Sequence, residues 1–98
     1  MGCKIIFAPQ AIDDLAEAVG HIAEDDPVRA QRIGNALIDR VAILEKFPLL
    51  GSPYPKRPGV RKLVSPPYII FYRLNPEEGR VDILRYWHGA RGEVVLNG

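Results

Sequence analysis

The chain has little of several residue types that would point to a chemistry. Cys3 is its only cysteine, Trp87 its only tryptophan, and His21 and His88 its only histidines. One thiol excludes an intrachain disulfide and a four-cysteine zinc site. It also suits a reducing compartment, so a cytoplasmic location is expected. No apolar run approaches the roughly 20 residues of a spanning helix, and no membrane partner is expected. The run Ile5, Ile6, Phe7 meets Pro9 too soon to form a signal-peptide core. The opening Met-Gly-Cys has Ile6 where a myristoylation signal needs Ser or Thr. A Gly-rich phosphate loop, a nucleophile elbow and a zinc-protease helix are all missing. Two histidines so far apart in sequence imply no metal, and nothing calls for a cofactor.

What is present suffices for one small folded domain over residues 1–98. At 47% hydrophobic and 26% charged, the chain can bury a core. Its net charge is only +1, but the charge is unevenly spread. Residues 1–50 hold five Lys/Arg against eight Asp/Glu, and residues 51–98 hold eight against four. The basic second half either meets an anionic partner or simply solvates a sheet.

Residues 3–7, "CKIIF", read as a first strand. Pro9 then suits the first turn of a helix, where its missing N–H costs nothing. Ile12, Leu15, Val19 and Ile22 recur at helical spacing, and Asp13, Asp14, Glu17 and Glu24 lie off that stripe as solvated groups. In "EDDP", Asp26 caps a second helix that begins at Pro27. Ala30, Ile33, Leu37, Val41 and Leu44 form its seam, and Pro48 and Gly51 end it. Gly34 and Gly20 would let the two backbones approach, and so short a connection makes an antiparallel hairpin. "GSPYPKRPG", 51–59, reads as a loop without an element. Strands follow at 60–64, 68–74 and 80–87, joined by hairpin-length connections. In the second of these, Ile69, Phe71 and Arg73 oppose Tyr68, Ile70, Tyr72 and Leu74. In the third, Val81, Ile83 and Arg85 oppose Asp82, Leu84 and Tyr86. The fold class is therefore α+β. The N-terminal strand and an antiparallel helical hairpin pack on a small antiparallel sheet of three C-terminal strands plus the first strand. Residues 92–98 read as a flexible tail.

The chemistry-bearing set is basic and aromatic. Lys56, Arg57, Arg61, Lys62, Arg73, Arg85, His88 and Arg91 stand with Tyr68, Tyr72, Tyr86 and Trp87. Arginine grips phosphate in a planar fork, and aromatic rings stack on bases. A metal-independent ribonuclease uses such groups as acid, base and phosphorane stabiliser, with His88 the side chain that titrates near neutrality. The alternative for the same residues is structural: Trp87 and Tyr72 in the core, Arg85 paired with Asp82 or a helix carboxylate, His88 closing the strand.

The patterns "A..DL..A..HIA.DDP..A.R", "L..FP..G.P", "VRKL", "Y.I.YR" and "ILRYWHGAR" together resemble the ParE branch of the RelE/ParE toxin superfamily of bacterial type II toxin–antitoxin modules, often called plasmid stabilisation proteins. The resemblance runs from about residue 4 to residue 91. It implies a toxin held in a hetero-oligomer by a cognate antitoxin, with DNA gyrase as target. The RelE-like alternative is the ribosome and its mRNA. That alternative implies an endonuclease in which Arg61, Arg85 and His88 are catalytic, although "WHGAR" stands where RelE-type members carry a tyrosine. A third reading is a non-toxic module that retains antitoxin binding and co-repression. Arg57, Arg61, Arg73, Arg85, Trp87, His88 and Arg91 are the expected contacts to antitoxin or target.

Overall fold

A computed structural model of the chain describes residues 2–96. The first strand, β1, spans Lys4–Phe7, and Pro9 starts helix α1, Pro9–Ala23. Helix α2, Pro27–Ala42, begins at the expected cap, where Asp26 Oδ1 accepts the Arg29 N–H at 3.0 Å. It stops earlier than Pro48 suggests: a 3₁₀ turn, Ile43–Glu45, carries Leu44 into the core. The remaining strands are β2, Ser52–Pro53; β3, Val60–Ser65; β4, Tyr68–Asn75; and β5, Arg80–His88. The sheet order is β1-β5-β4-β3-β2. All neighbours are antiparallel except β1, which lies parallel to β5, so the sheet is mixed. The two-residue β2 lies inside the stretch read as pure loop, where Ser52 and Pro53 pair with Lys62 and Arg61.

The helical hairpin covers one sheet face. Ala11, Leu37, Val41 and Leu44 meet Leu63, Ile70, Tyr72, Val81, Ile83 and Tyr86 there. Burial of these apolar groups is the main favourable term holding the two layers together. The α2 seam falls as its spacing predicts. The α1 stripe is rotated: Ala11 is fully buried, whereas Ile12 is 55% exposed. Gly34 makes the expected close approach, since a Cβ there would lie 3.0 Å from Val19 Cγ2. Gly20 does not, for nothing lies within 4 Å of its would-be Cβ.

The other face carries a smaller cluster of Val60, Phe71 and Trp87, flanked by Tyr54, Ile69, Leu84, Val94 and Leu96. Between the faces, β5 breaks its own alternation. Phe71 pairs with Arg85 and Tyr72 with Ile83, leaving Leu84 without a partner. This bulge reverses the parity of everything after it. Tyr86 therefore joins Val81 and Ile83 beneath the helices, and Trp87 joins Leu84 on the opposite face. Strict alternation had set Tyr86 against Ile83, and the inserted residue is the reason that it fails.

Candidate functional site

Asp14 fixes the bulge. Its Oδ2 accepts from Arg85 Nε at 2.7 Å and from the Tyr86 backbone N–H at 3.1 Å, and its Oδ1 accepts from Arg85 Nη2 at 2.8 Å. The pair is largely buried, with side-chain exposures of 8% for Asp14 and 12% for Arg85. The Asp14 hydrogen bond, opposed by burial and helped by the fields of Asp14 and Glu17, holds the Arg85 guanidinium above its usual range. The two bonds of one bidentate contact and a backbone N–H satisfy most of what such a pair leaves behind when water is removed. Asp14 is thus no solvated helix carboxylate. Taking Ala11 rather than Ile12 as core puts Asp14 on the margin of the buried stripe, three residues on and facing β5, and that was the available signal.

The sequence-predicted residues do not converge on one site. Arg61 lies opposite Tyr72 and turns its guanidinium onto backbone carbonyls: Nε and Nη2 donate to Gly51 O at 3.0 and 2.6 Å, and Nη2 to Leu49 O at 3.2 Å. The Tyr72 hydroxyl donates to Pro48 O at 2.8 Å and accepts the Gly51 N–H at 2.9 Å. Together they pin the 48–51 turn. Gly51 is needed there, because a Cβ would fall 2.5 Å from Lys62 O and 2.8 Å from the Tyr72 hydroxyl. Arg73, opposite Val60 on the face away from the helices, is half-buried and makes no hydrogen bond or ion pair among the described residues.

His88 looks the other way, toward α1. Its Nδ1 accepts the Ala90 N–H at 3.1 Å, which leaves Nε2 to carry the proton of the neutral ring, and its ring meets Tyr68 edge-on at 5.4 Å. It lines a cavity of about 150 Å³ with Asp14, Glu17, His21, Tyr68 and Arg91. The Tyr86 ring also faces this cavity. Its hydroxyl donates to Leu37 O at 3.1 Å, and burial pushes the phenol well above its ordinary value.

Trp87 is 4% exposed and donates from Nε1 to Gly92 O at 3.0 Å. The Arg91 guanidinium carbon lies 4.0 Å from the Trp87 ring centroid and that of Arg85 lies 4.9 Å away, both within cation–π range. The remaining donors of this group go to the segment 92–96. Arg85 Nη1 donates to Val95 O at 2.8 Å, Arg57 Nη1 to Leu96 O at 3.0 Å, and Lys56 Nζ to Glu93 Oε1 at 2.9 Å. Residues 92–96, read as part of a flexible tail, therefore lie against the sheet through named contacts. The rest of that tail, 97–98, lies outside the described residues. No group of three or more His, Cys, Asp or Glu among the described residues is placed to hold a metal ion.

The family model described as the ParE toxin of the type II toxin–antitoxin system parDE matches residues 5–92. The chain belongs to the ParE toxin family. Two solved structures share the RelE/ParE-like fold. One is described as the chromosomal ParDE toxin–antitoxin system from P. aeruginosa. It has a TM-score of 0.76 at 22% identity over 88% of this chain and 95% of that one. The other is the toxin–antitoxin complex RelBE2 from Mycobacterium tuberculosis, with a TM-score of 0.69 at 26% identity over 90% of this chain and 99% of that one. No curated protein matches. Within the ParE frame, "ILRYWHGAR" is a core strand whose bulge aims His88 at the hairpin and Trp87 at the opposite face.

Proposed function

We propose that this ParE-family chain is a toxin that a cognate antitoxin neutralises in a hetero-oligomer, and that it acts in the cytoplasm on DNA gyrase rather than as an mRNA endonuclease. The observation that carries the choice of target is the internal commitment of the residues an RNA-cutting site would use. Arg61 is spent on the carbonyls of Leu49 and Gly51, Arg85 is spent on Asp14, and His88 stands on the helix side of the sheet. A metal-free phosphoryl-transfer site needs its acid, base and cations converging within hydrogen-bond reach of one phosphate. These three residues do not converge. The antitoxin reading is supported by the family and by two neighbours that were both solved as toxin–antitoxin systems. Arg73, with no internal partner among the described residues, and the exposed Arg91 are the arginines best placed to meet a partner's carboxylates or a target.

Induced expression in a bacterium is expected to arrest growth with filamentation and an SOS response, and co-expression of the adjacent small open reading frame to restore growth. Unimpeded growth with soluble protein present would remove the toxin reading and leave the non-toxic antitoxin-binding module. Arrest accompanied by translation-dependent mRNA cuts and no DNA damage would move the target to the ribosome.

A further inference from the structure

We propose that the groove between α1 and the end of β5 is a binding site for a guanine base. Glu17 accepts from the two adjacent N–H donors of the base, and Arg91 donates to its two adjacent acceptors. The proposal rests on the side chains that line this groove and is independent of the toxin reading.

The two walls of the groove differ in chemistry. Asp14, Glu17, Ala18 and His21 follow at three- and four-residue spacing along α1 and share one face of the helix. Opposite them stand Tyr68, the first residue of β4, His88, the last of β5, and Arg91 in the 3₁₀ turn Gly89–Arg91. Two polar groups of the lining are already engaged. The Asp14 carboxylate accepts from Arg85 and the Tyr86 N–H, and the Tyr86 hydroxyl donates to Leu37 O. The others are open to a ligand. Glu17 is exposed and makes no hydrogen bond or ion pair among the described residues. Arg91 packs over the Trp87 ring and forms no hydrogen bond among the described residues. A guanidinium stacked on an aromatic face keeps its in-plane N–H groups free to donate. His88 carries its proton on Nε2, because Nδ1 accepts the Ala90 N–H. The open groups are therefore a carboxylate on the helix wall and donors on the sheet wall.

That arrangement selects the ligand. Arg85 offsets Asp14 and Arg91 offsets Glu17, so the lining suits a neutral, dipolar molecule better than a bare anion or cation. Its volume of about 150 Å³ is that of a cavity which takes one small aromatic ring. The rings of Tyr68, Tyr86 and His88 give such a ligand surfaces to lie against. Among the nucleobases, guanine alone sets two donors side by side, N1–H and the 2-amino group, with two acceptors, O6 and N7, beyond them. A carboxylate accepts the first pair as a fork, and a guanidinium donates to the second. Adenine and cytosine place a ring-nitrogen lone pair beside their amino group, and that lone pair would face the Glu17 carboxylate. Uracil and thymine offer one N–H between two carbonyls, which the same carboxylate repels.

Calorimetric titration of the full chain with guanosine, adenosine, cytidine and uridine monophosphates tests the site. Guanosine monophosphate is expected to bind saturably and at least about tenfold more tightly than the other three. Glu17→Gln, with the fold checked by circular dichroism, should erase that preference, because an amide sets a donor against one of the two guanine donors. Arg91→Lys should weaken guanosine monophosphate several-fold, since a single ammonium cannot reproduce the fork. A single-stranded oligothymidylate carrying one guanine separates the two sources of the base. Tighter binding than the mononucleotide would mark a base within a strand as the occupant, and weaker binding would mark the free nucleotide. Guanosine monophosphate binding no more tightly than adenosine monophosphate would overturn the proposal. So would a guanine preference that survives Glu17→Gln in a folded chain, or no saturable binding up to about 5 mM. If Glu17→Gln does not fold, the comparison of the four nucleotides on the unsubstituted chain decides alone.

Discussion

The two faces of the sheet are closed in different ways. Beneath the helices, regular elements meet: apolar side chains from α1, α2 and four strands interlock, and the few polar groups among them are hydrogen-bonded. On the other face an irregular segment is held by arginine, lysine and tryptophan donors reaching its carbonyls and one carboxylate. Packing of the first kind is expensive to disturb. Closure of the second kind is made of modest, partly exposed bonds, each worth little net against water. The contrast makes the helix face the costlier of the two to disturb.

The sharpest way to break that contrast is at the Asp14–Arg85 pair, which serves both faces. Asp14→Ala strands a largely buried guanidinium and should cost about 3–5 kcal/mol in denaturant unfolding. Asp14→Ala combined with Arg85→Ala should recover part of that loss, because no charge is then left unpaired. A loss below about 1 kcal/mol in the single variant would mean that the bulge holds without its carboxylate. Next in size, Ile83→Ala on the helix face, fully buried, should cost about 2–5 kcal/mol. Leu96→Ala on the segment face should cost about 1 kcal/mol. Equal losses would erase the distinction between the faces.

Much of this was legible in the sequence where regular periodicity carried it. The seam of α2, the Asp26–Pro27 start and the strand–helix–helix–strand order follow from spacing and capping residues that act locally. What was not legible depends on pairing across the chain. At the bulge, Asp14, far away in sequence, supplies an acceptor for the Tyr86 N–H. Without that partner in view, β5 reads as plain alternation. Arg61 and Arg85 look like ligand-binding arginines because sequence shows the donor and hides the acceptor. Their acceptors are backbone carbonyls and a helix carboxylate. The segment 92–96, Gly-Glu-Val-Val-Leu, is too short to show a period, so only its docked geometry reveals Val94 and Leu96 as packed groups.

Smaller effects sharpen the account further. Tyr86→Phe removes the hydroxyl that donates to Leu37 O, a carbonyl already within the α2 helix, and should cost about 0.5–1.5 kcal/mol. The phenol also gives the fold a pH dependence. Because burial raises its folded value above the ordinary 10.0, its contribution is complete below that pH and is lost as pH rises beyond it. Alkaline destabilisation above pH 10 should therefore be shallower in Tyr86→Phe, and an unchanged pH profile would show that another group is responsible. Smallest of all, Arg73→Ala should alter unfolding by no more than about 0.5 kcal/mol, since no ion pair or hydrogen bond is lost among the described residues. Its effect should appear instead in antitoxin or target binding, and a large stability change would place Arg73 in the structure rather than at an interface.

The most direct test of the central claim is a gyrase assay with purified protein. The chain, free of antitoxin, is incubated with DNA gyrase, plasmid and ATP, and supercoiling and trapped cleaved complexes are scored on gels. The account predicts inhibited supercoiling or accumulated cleaved DNA, abolished by adding the cognate antitoxin. Full supercoiling without cleavage, from a preparation that still arrests growth in cells, would contradict it.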